Sequence, residues 1–221
     1  MLTRTPTMTE VIKVLGTYNG RDKAMRTLGF GIFLISNKIK NVEFSKNLKL
    51  LAAQISKARL VSRQFSHIPL FYGTMNLWKV FQQSPDQVET GLSLFTMVGY
   101  CLYAIFEFGC WLNEANIIAI SRENWYRYAI FSWVSALVAS LIQSLRKIFI
   151  IEPLEDNHGV VDKQKQEQRS MDRVLLLGTM ADLVAGIGLL PKQILWGGKL
   201  TEQQSSFFFF VASVIGLYRC F

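Results

Sequence analysis

The chain has 221 residues, half of them apolar, 13% aromatic and only 18% charged, and its 24 Lys and Arg against 16 Asp and Glu give a formal net charge of +8. The excess sits at the front: residues 1–90 hold thirteen Lys and Arg against five Asp and Glu, whereas the remainder is balanced at eleven each. A basic front half joined to an apolar back half suits an anionic membrane face, and no nucleic-acid motif accompanies the charge.

In chain order, Thr9 is expected to cap a first helix carrying Val11, Ile12, Val14 and Leu15 before Gly16. Tyr18-Asn19-Gly20-Arg21-Asp22-Lys23 reads as a turn from its Asn-Gly, with Asp22 in a surface pair worth under about 1 kcal/mol. From 24 to 39 the spacing of Met25, Leu28, Ile32, Ile35 and Ile39 predicts a helix, weakened by Gly29 and Gly31.

The stretch 44–65, FSKNLKLLAAQISKARLVSRQF, organises the front of the chain. At about 100° per residue it gathers Phe44, Leu48, Leu51, Ala52, Ile55, Ala58 and Phe65 on one side, with Lys46, Lys49, Lys57 and Arg63 opposite or on its flank. Arg59 falls within the apolar stripe, and no carboxylate occurs between Glu43 and Asp86. An uncompensated basic face backed by an apolar one suits a bilayer interface; the competing reading is a core-facing helix of a soluble bundle.

His67 and Pro69, and then Ser84-Pro85-Asp86, bracket a short apolar segment, 70–81. The run 91–106 is a marginal crossing ended by Glu107, and 128–145, flanked by Trp125, Tyr126 and Arg127 and by Arg146 and Lys147, is the strongest candidate span. Residues 152–173 read as a hydrophilic, flexible connector containing His158. The run 174–190 carries Asp182 at its middle, where a carboxylate at bilayer centre costs about 2.5–3.5 kcal/mol, so an interfacial or bundle-buried helix is expected. Trp196-Gly197-Gly198-Lys199 forms a turn, and 205–219, with phenylalanines at 207–210, is a candidate C-terminal anchor.

These elements make an all-α membrane protein in four parts: a basic amphipathic region 1–90, apolar helices 91–151 with a span at 128–148, the connector 152–173, and 174–221 with an interfacial helix and an anchor. The sequence has no phosphate-cradling glycine loop, nucleophile elbow or HExxH, and Cys101, Cys110 and Cys220 lack metal-type spacing. Neither catalytic residues nor a cofactor or metal are expected. The N-terminus lacks a secretory core, and Arg219-Cys220-Phe221 forms neither a prenylation box nor a Ser-Lys-Leu address.

Three blocks in order resemble the peroxin-11 family of peroxisomal membrane proteins, most closely its gamma (C-type) branch. They are Tyr18 to Lys23 with Arg26, Leu28, Gly29 and Phe30; Ala53-Gln54-Ile55-Ser56-Lys57-Ala58-Arg59 with Arg63 and Phe65; and Ala181-Asp182-Leu183 with Leu190-Pro191-Lys192-Gln193-Ile194-Leu195-Trp196 and Gly198. The resemblance implies a multi-pass protein of the peroxisomal membrane with both termini in the cytosol, promoting elongation and division of the organelle. It implies anionic phospholipid, further copies of the chain, related family members and membrane fission factors as partners. Lys46, Lys49, Lys57, Arg59 and Arg63 then fall as headgroup contacts, and Leu48, Leu51, Ile55 and Phe65 as the inserted face. Two other classes stay open: a metabolite channel with Glu107, Asp182 and Arg127 along a polar path, and a docking scaffold for fission factors.

Overall fold

A computed structural model describes residues 6–156 and 163–221, and all regular structure among them is helical. The chain divides into two compact units, Met1–Ser62 with Thr201–Phe221, and Arg63–Leu200.

The first unit is built on α2 (Tyr18–Ser36), which packs against α1 (Met8–Gly16), α3 (Val42–Ser62) and α9 (Glu202–Tyr218). Thr7, rather than Thr9, caps α1 in a reciprocal box with Glu10. The expected turn at Tyr18 to Lys23 is instead the first part of α2: Thr17 closes α1, and its hydroxyl then accepts the Gly20 N–H at 3.0 Å. A Cβ at Gly20 would lie 2.1 Å from the Val14 carbonyl oxygen, so this glycine serves a close helix crossing. Gly31 is approached more loosely by the Phe210 ring of α9, at 3.2 Å, and Gly29 meets Ile55 of α3 at ordinary contact distance.

α3 runs antiparallel to α2. Ser45 Oγ donates to the Ser36 carbonyl at 2.8 Å at one end of the pair, Ile55 meets Gly29 in the middle, and Arg59 meets Asp22 at the other end. α9 lies along α2 with Phe209 stacked on Phe30, ring centroids 5.1 Å apart, and with the Arg26 guanidinium over both rings. The stretch expected as an anchor, 205–219, thus falls in α9, a helix of 17 residues that buries Ser205, Ser206, Phe209, Ala212 and Ser213.

The second unit contains α4 (His67–Gln83), α5 (Gln87–Glu114) and α6 (Arg122–Arg146). α6 continues through a π-helical turn, Lys147–Ile151, into α7 (Glu152–Asp156), and α8 (Lys163–Gly188) follows. Each long helix packs on the next: α4 on α5, α5 on α6, α6 on α8. Ile130, Val134, Ile187 and Leu190 form a buried core between α6 and α8, with Trp133, Leu183, Ile194 and Trp196 against it. The Trp196 indole N–H donates to the Val184 carbonyl at 2.9 Å, and Gly198 takes φ +65, which fixes the turn expected there. Residues 163–173, expected as flexible connector, are helical, and Asp172 pairs there with Lys147 at 2.7 Å while Arg169 donates to the Glu152 carbonyl at 3.0 Å. His158 lies outside the described residues.

Among the described residues, two helices are long and apolar enough to cross a membrane, Gln87–Glu114 and Arg122–Leu154. The second contains the predicted span, and the first contains the run 91–106 that Glu107 made marginal.

Candidate membrane-binding surfaces

Two surfaces are candidates for contact with lipid: the outer side of α3 and the α5–α6 pair. On α3 the side facing α2 is Ser45, Leu48, Ala52, Ile55 and Arg59, spaced by three and four residues. Leu48 and Ile55, predicted to insert into lipid, are therefore half-buried in that seam. Arg59 makes a two-point contact with Asp22, Nε to Oδ1 at 3.0 Å and Nη2 to Oδ2 at 3.3 Å, with both side chains nearly nine-tenths buried. This accounts for a guanidinium in an apolar stripe: its partner is a carboxylate on the neighbouring helix.

Lys46, Lys49, Lys57 and Leu51 remain exposed, together with Phe44, Leu50 and Val61. The outer side of α3 is thus a basic strip flanked by apolar side chains. Arg63 and Phe65 lie beyond the helix end. Arg63 binds Glu107 at 2.6 Å, and Phe65, held at φ 68, sets its ring 5.6 Å from that of Phe108. The nine residues predicted to touch membrane accordingly separate into an exposed set, a packed set and a set tied to α5.

α5 and α6 are antiparallel and close. A Cβ at Gly99 would stand 2.8 Å from Ala136 Cβ, and one at Gly109 would stand 2.3 Å from the Trp125 ring. Small residues at such positions let two backbones approach, as in helices packed within lipid. At one end Arg146 bridges Asp86 at 2.7 Å and Glu89 at 2.9 Å, while the Gln143 amide donates to Glu89 and to Ser93. The Asp86 carboxylate accepts the Glu89 backbone N–H and faces Arg146, which together hold it below the usual carboxylate range. At the other end Glu107 accepts from Arg63 and from the Tyr103 hydroxyl at 2.7 Å, and Glu114 lies 3.6 Å from Arg122. Between these ends, 90–106 and 128–145 carry no charge. At about 1.5 Å per residue those stretches are about 25–27 Å long, close to the hydrocarbon thickness of a bilayer.

Phe95, Val98, Leu102 and Ile105 of α5 and Phe131, Val138 and Ile142 of α6 point outward and are exposed. A pair of soluble core helices would bury such side chains. Sequence reading missed the ion pairs because their partners lie far apart in the chain; the available signal was Arg59 inside an apolar stripe and Glu107 ending an apolar run. His67 packs against Phe108, ring centroids 4.9 Å apart, and among the described residues no three His, Cys, Asp or Glu come together as a metal site.

The sequence profile of peroxisomal biogenesis factor 11 (PEX11) matches residues 8–221. Peroxisomal membrane protein 11C of Homo sapiens is 22% identical over 219 residues, covering 93% of this chain and 90% of that protein. Peroxisomal membrane protein 11C of Mus musculus is 23% identical over 206 residues, covering 87% and 85%. No solved structure matches at a significant level. With the profile running through both units, the chain belongs to the peroxisomal biogenesis factor 11 family.

Proposed function

We propose that the chain is a peroxisomal membrane protein of the C-type branch, fastened by the α5–α6 pair, that promotes elongation of the organelle membrane before division. The carrying observation is the α5–α6 pair itself: uncharged stretches of bilayer length, apolar side chains turned outward, and ion pairs at both ends. The names of the two relatives support the location and the branch.

In this reading the active surface is the outer side of α3. Lys46, Lys49 and Lys57 engage anionic headgroups, each worth about 1 kcal/mol, while Phe44, Leu50 and Leu51 sink beside them. Insertion into one leaflet spreads headgroups more than tails and favours positive curvature. One copy offers little apolar area, so curvature grows with local density and self-association, and fission factors act on the tubule afterwards. Leu48, Ile55 and Arg59 hold α3 on α2 rather than entering lipid.

The test is reconstitution of the full chain into vesicles rich in anionic phospholipid. Tubules are expected from the native chain and from Leu48→Met, and not from Leu50→Glu/Leu51→Glu. Equal tubulation by the glutamate variant would defeat the wedge.

A further inference from the structure

Helix α4 is the least covered of the long helices in its unit: none of its residues is fully buried. Its inner side runs antiparallel along α5. The Cys101 thiol lies 3.9 Å from the His67 carbonyl, Gly73 lies against Met97, and Phe81 lies against Gly91. With the His67 ring also 4.9 Å from that of Phe108, the contacts run along α5 from beside Glu107 to Gly91, close to Glu89, and so cover the uncharged stretch of α5. A helix packed along a spanning helix over that length occupies the same depth.

The outer side of α4 is Ile68, Phe71, Tyr72, Met75 and Trp78, all exposed and spaced as one face of a helix. The chain is uncharged from Gln64 to Trp78, and Lys79, the one charged residue of α4, comes beside Trp78 near the Glu89–Arg146 end. Aromatic and lysine side chains together suit the headgroup level. Phe95, Val98 and Leu102 of the neighbouring α5 are exposed as well.

We infer that α4 is a further membrane-embedded helix whose Ile68, Phe71, Tyr72 and Met75 face lipid acyl chains, with Trp78 at the headgroup level. The inference rests on the reading of α5 and α6 as crossing the bilayer. It makes the lipid-embedded part of the protein larger than the helical pair and puts the Pro85 turn at a membrane surface. A soluble partner would need a polar rim around this face; a second copy is the remaining protein occupant and is decided by experiment.

The experiment uses the full chain, with Cys101, Cys110 and Cys220 replaced by Ala, reconstituted in phospholipid vesicles. Single cysteines are placed at Met75 on α4, at Phe95 on α5 and at Gln54 on α3. After permeabilisation that leaves the bilayer intact, a membrane-impermeant maleimide is expected to label Gln54→Cys and to leave Met75→Cys and Phe95→Cys at least tenfold less labelled. In parallel, a benzophenone amino acid at Phe71 is expected to give phospholipid adducts on irradiation. Labelling of Met75→Cys with Phe95→Cys shielded overturns the inference and leaves the crossing of α5 and α6 standing. Labelling of both overturns that crossing and the inference with it. A chain-to-chain crosslink from position 71 in place of lipid adducts assigns the face to a second copy and overturns the lipid occupant.

Discussion

Arg59 reaches across from α3 to hold Asp22 of α2, Nε to Oδ1 at 3.0 Å, with both groups largely withdrawn from water. A buried pair of this kind is costly to break from one side, because the survivor keeps its desolvation penalty without its partner. Arg59→Ala or Asp22→Ala is expected to destabilise the first unit by about 3 kcal/mol, read as earlier thermal unfolding in detergent. The exchange Asp22→Arg/Arg59→Asp should recover a large part of the loss. If Arg59 served headgroups instead, Asp22→Ala would leave stability unchanged.

Gly99 sits at a close approach of α5 and α6, its missing Cβ 2.8 Å from Ala136. Gly99→Leu is expected to force the helices apart at a cost of about 2 kcal/mol or more, seen as proteolysis within residues 87–146 under conditions that spare the native chain. Gly16, with nothing within 4 Å of its would-be Cβ, is the matched control, and Gly16→Ala should be tolerated.

Asp86 and Glu89 share Arg146 at the other end of the pair. Arg146→Met is expected to leave two carboxylates facing each other and to loosen that end, measured as faster hydrogen exchange at the start of α5. The Asp86 carboxyl, held below its ordinary value, contributes stability above about pH 4, its unfolded value, and loses it as pH falls through the lower folded value. Asp86→Asn should remove that acid dependence and leave exchange near pH 7 only slightly faster.

The exposed lysines of α3 give a separate prediction. Lys46→Gln/Lys49→Gln/Lys57→Gln should abolish tubulation of anionic vesicles while leaving thermal unfolding as it was, since these side chains stand in solvent. Removing about 3 kcal/mol of headgroup attraction corresponds to about a hundredfold loss of surface affinity. Unchanged tubulation would move the curving element elsewhere in the chain.

Helical class, a long apolar helix through 128–148 and the basic side of α3 were legible because each is a local pattern: an uncharged run, a period of three and four, a lysine count. The burial of one side of α3 was legible too, but its neighbour was not. Periodicity shows that Leu48 and Ile55 share a face without showing whether α2 or lipid covers it. The turn expected from Asn19-Gly20 failed for a related reason, since glycine marks a turn and a close helix crossing alike, and Val14 supplies the crossing here. Glu107 made 91–106 a marginal crossing that depended on the carboxylate being shielded, and Arg63 and Tyr103 satisfy it from positions no local window contains. Residues 163–173 likewise find partners, Lys147 and Glu152, on the preceding segment.

A crossing of the bilayer by α5 and α6 as an antiparallel pair is read most directly from the sidedness of their two ends. In sealed peroxisomal vesicles, cysteine-free chains carrying Ala119→Cys, between α5 and α6, or Gln83→Cys, just before α5, are treated with an impermeant maleimide before and after permeabilisation. Opposite behaviour is expected: one position labels in intact vesicles and the other only once they are opened. Labelling of both positions in intact vesicles would contradict the crossing.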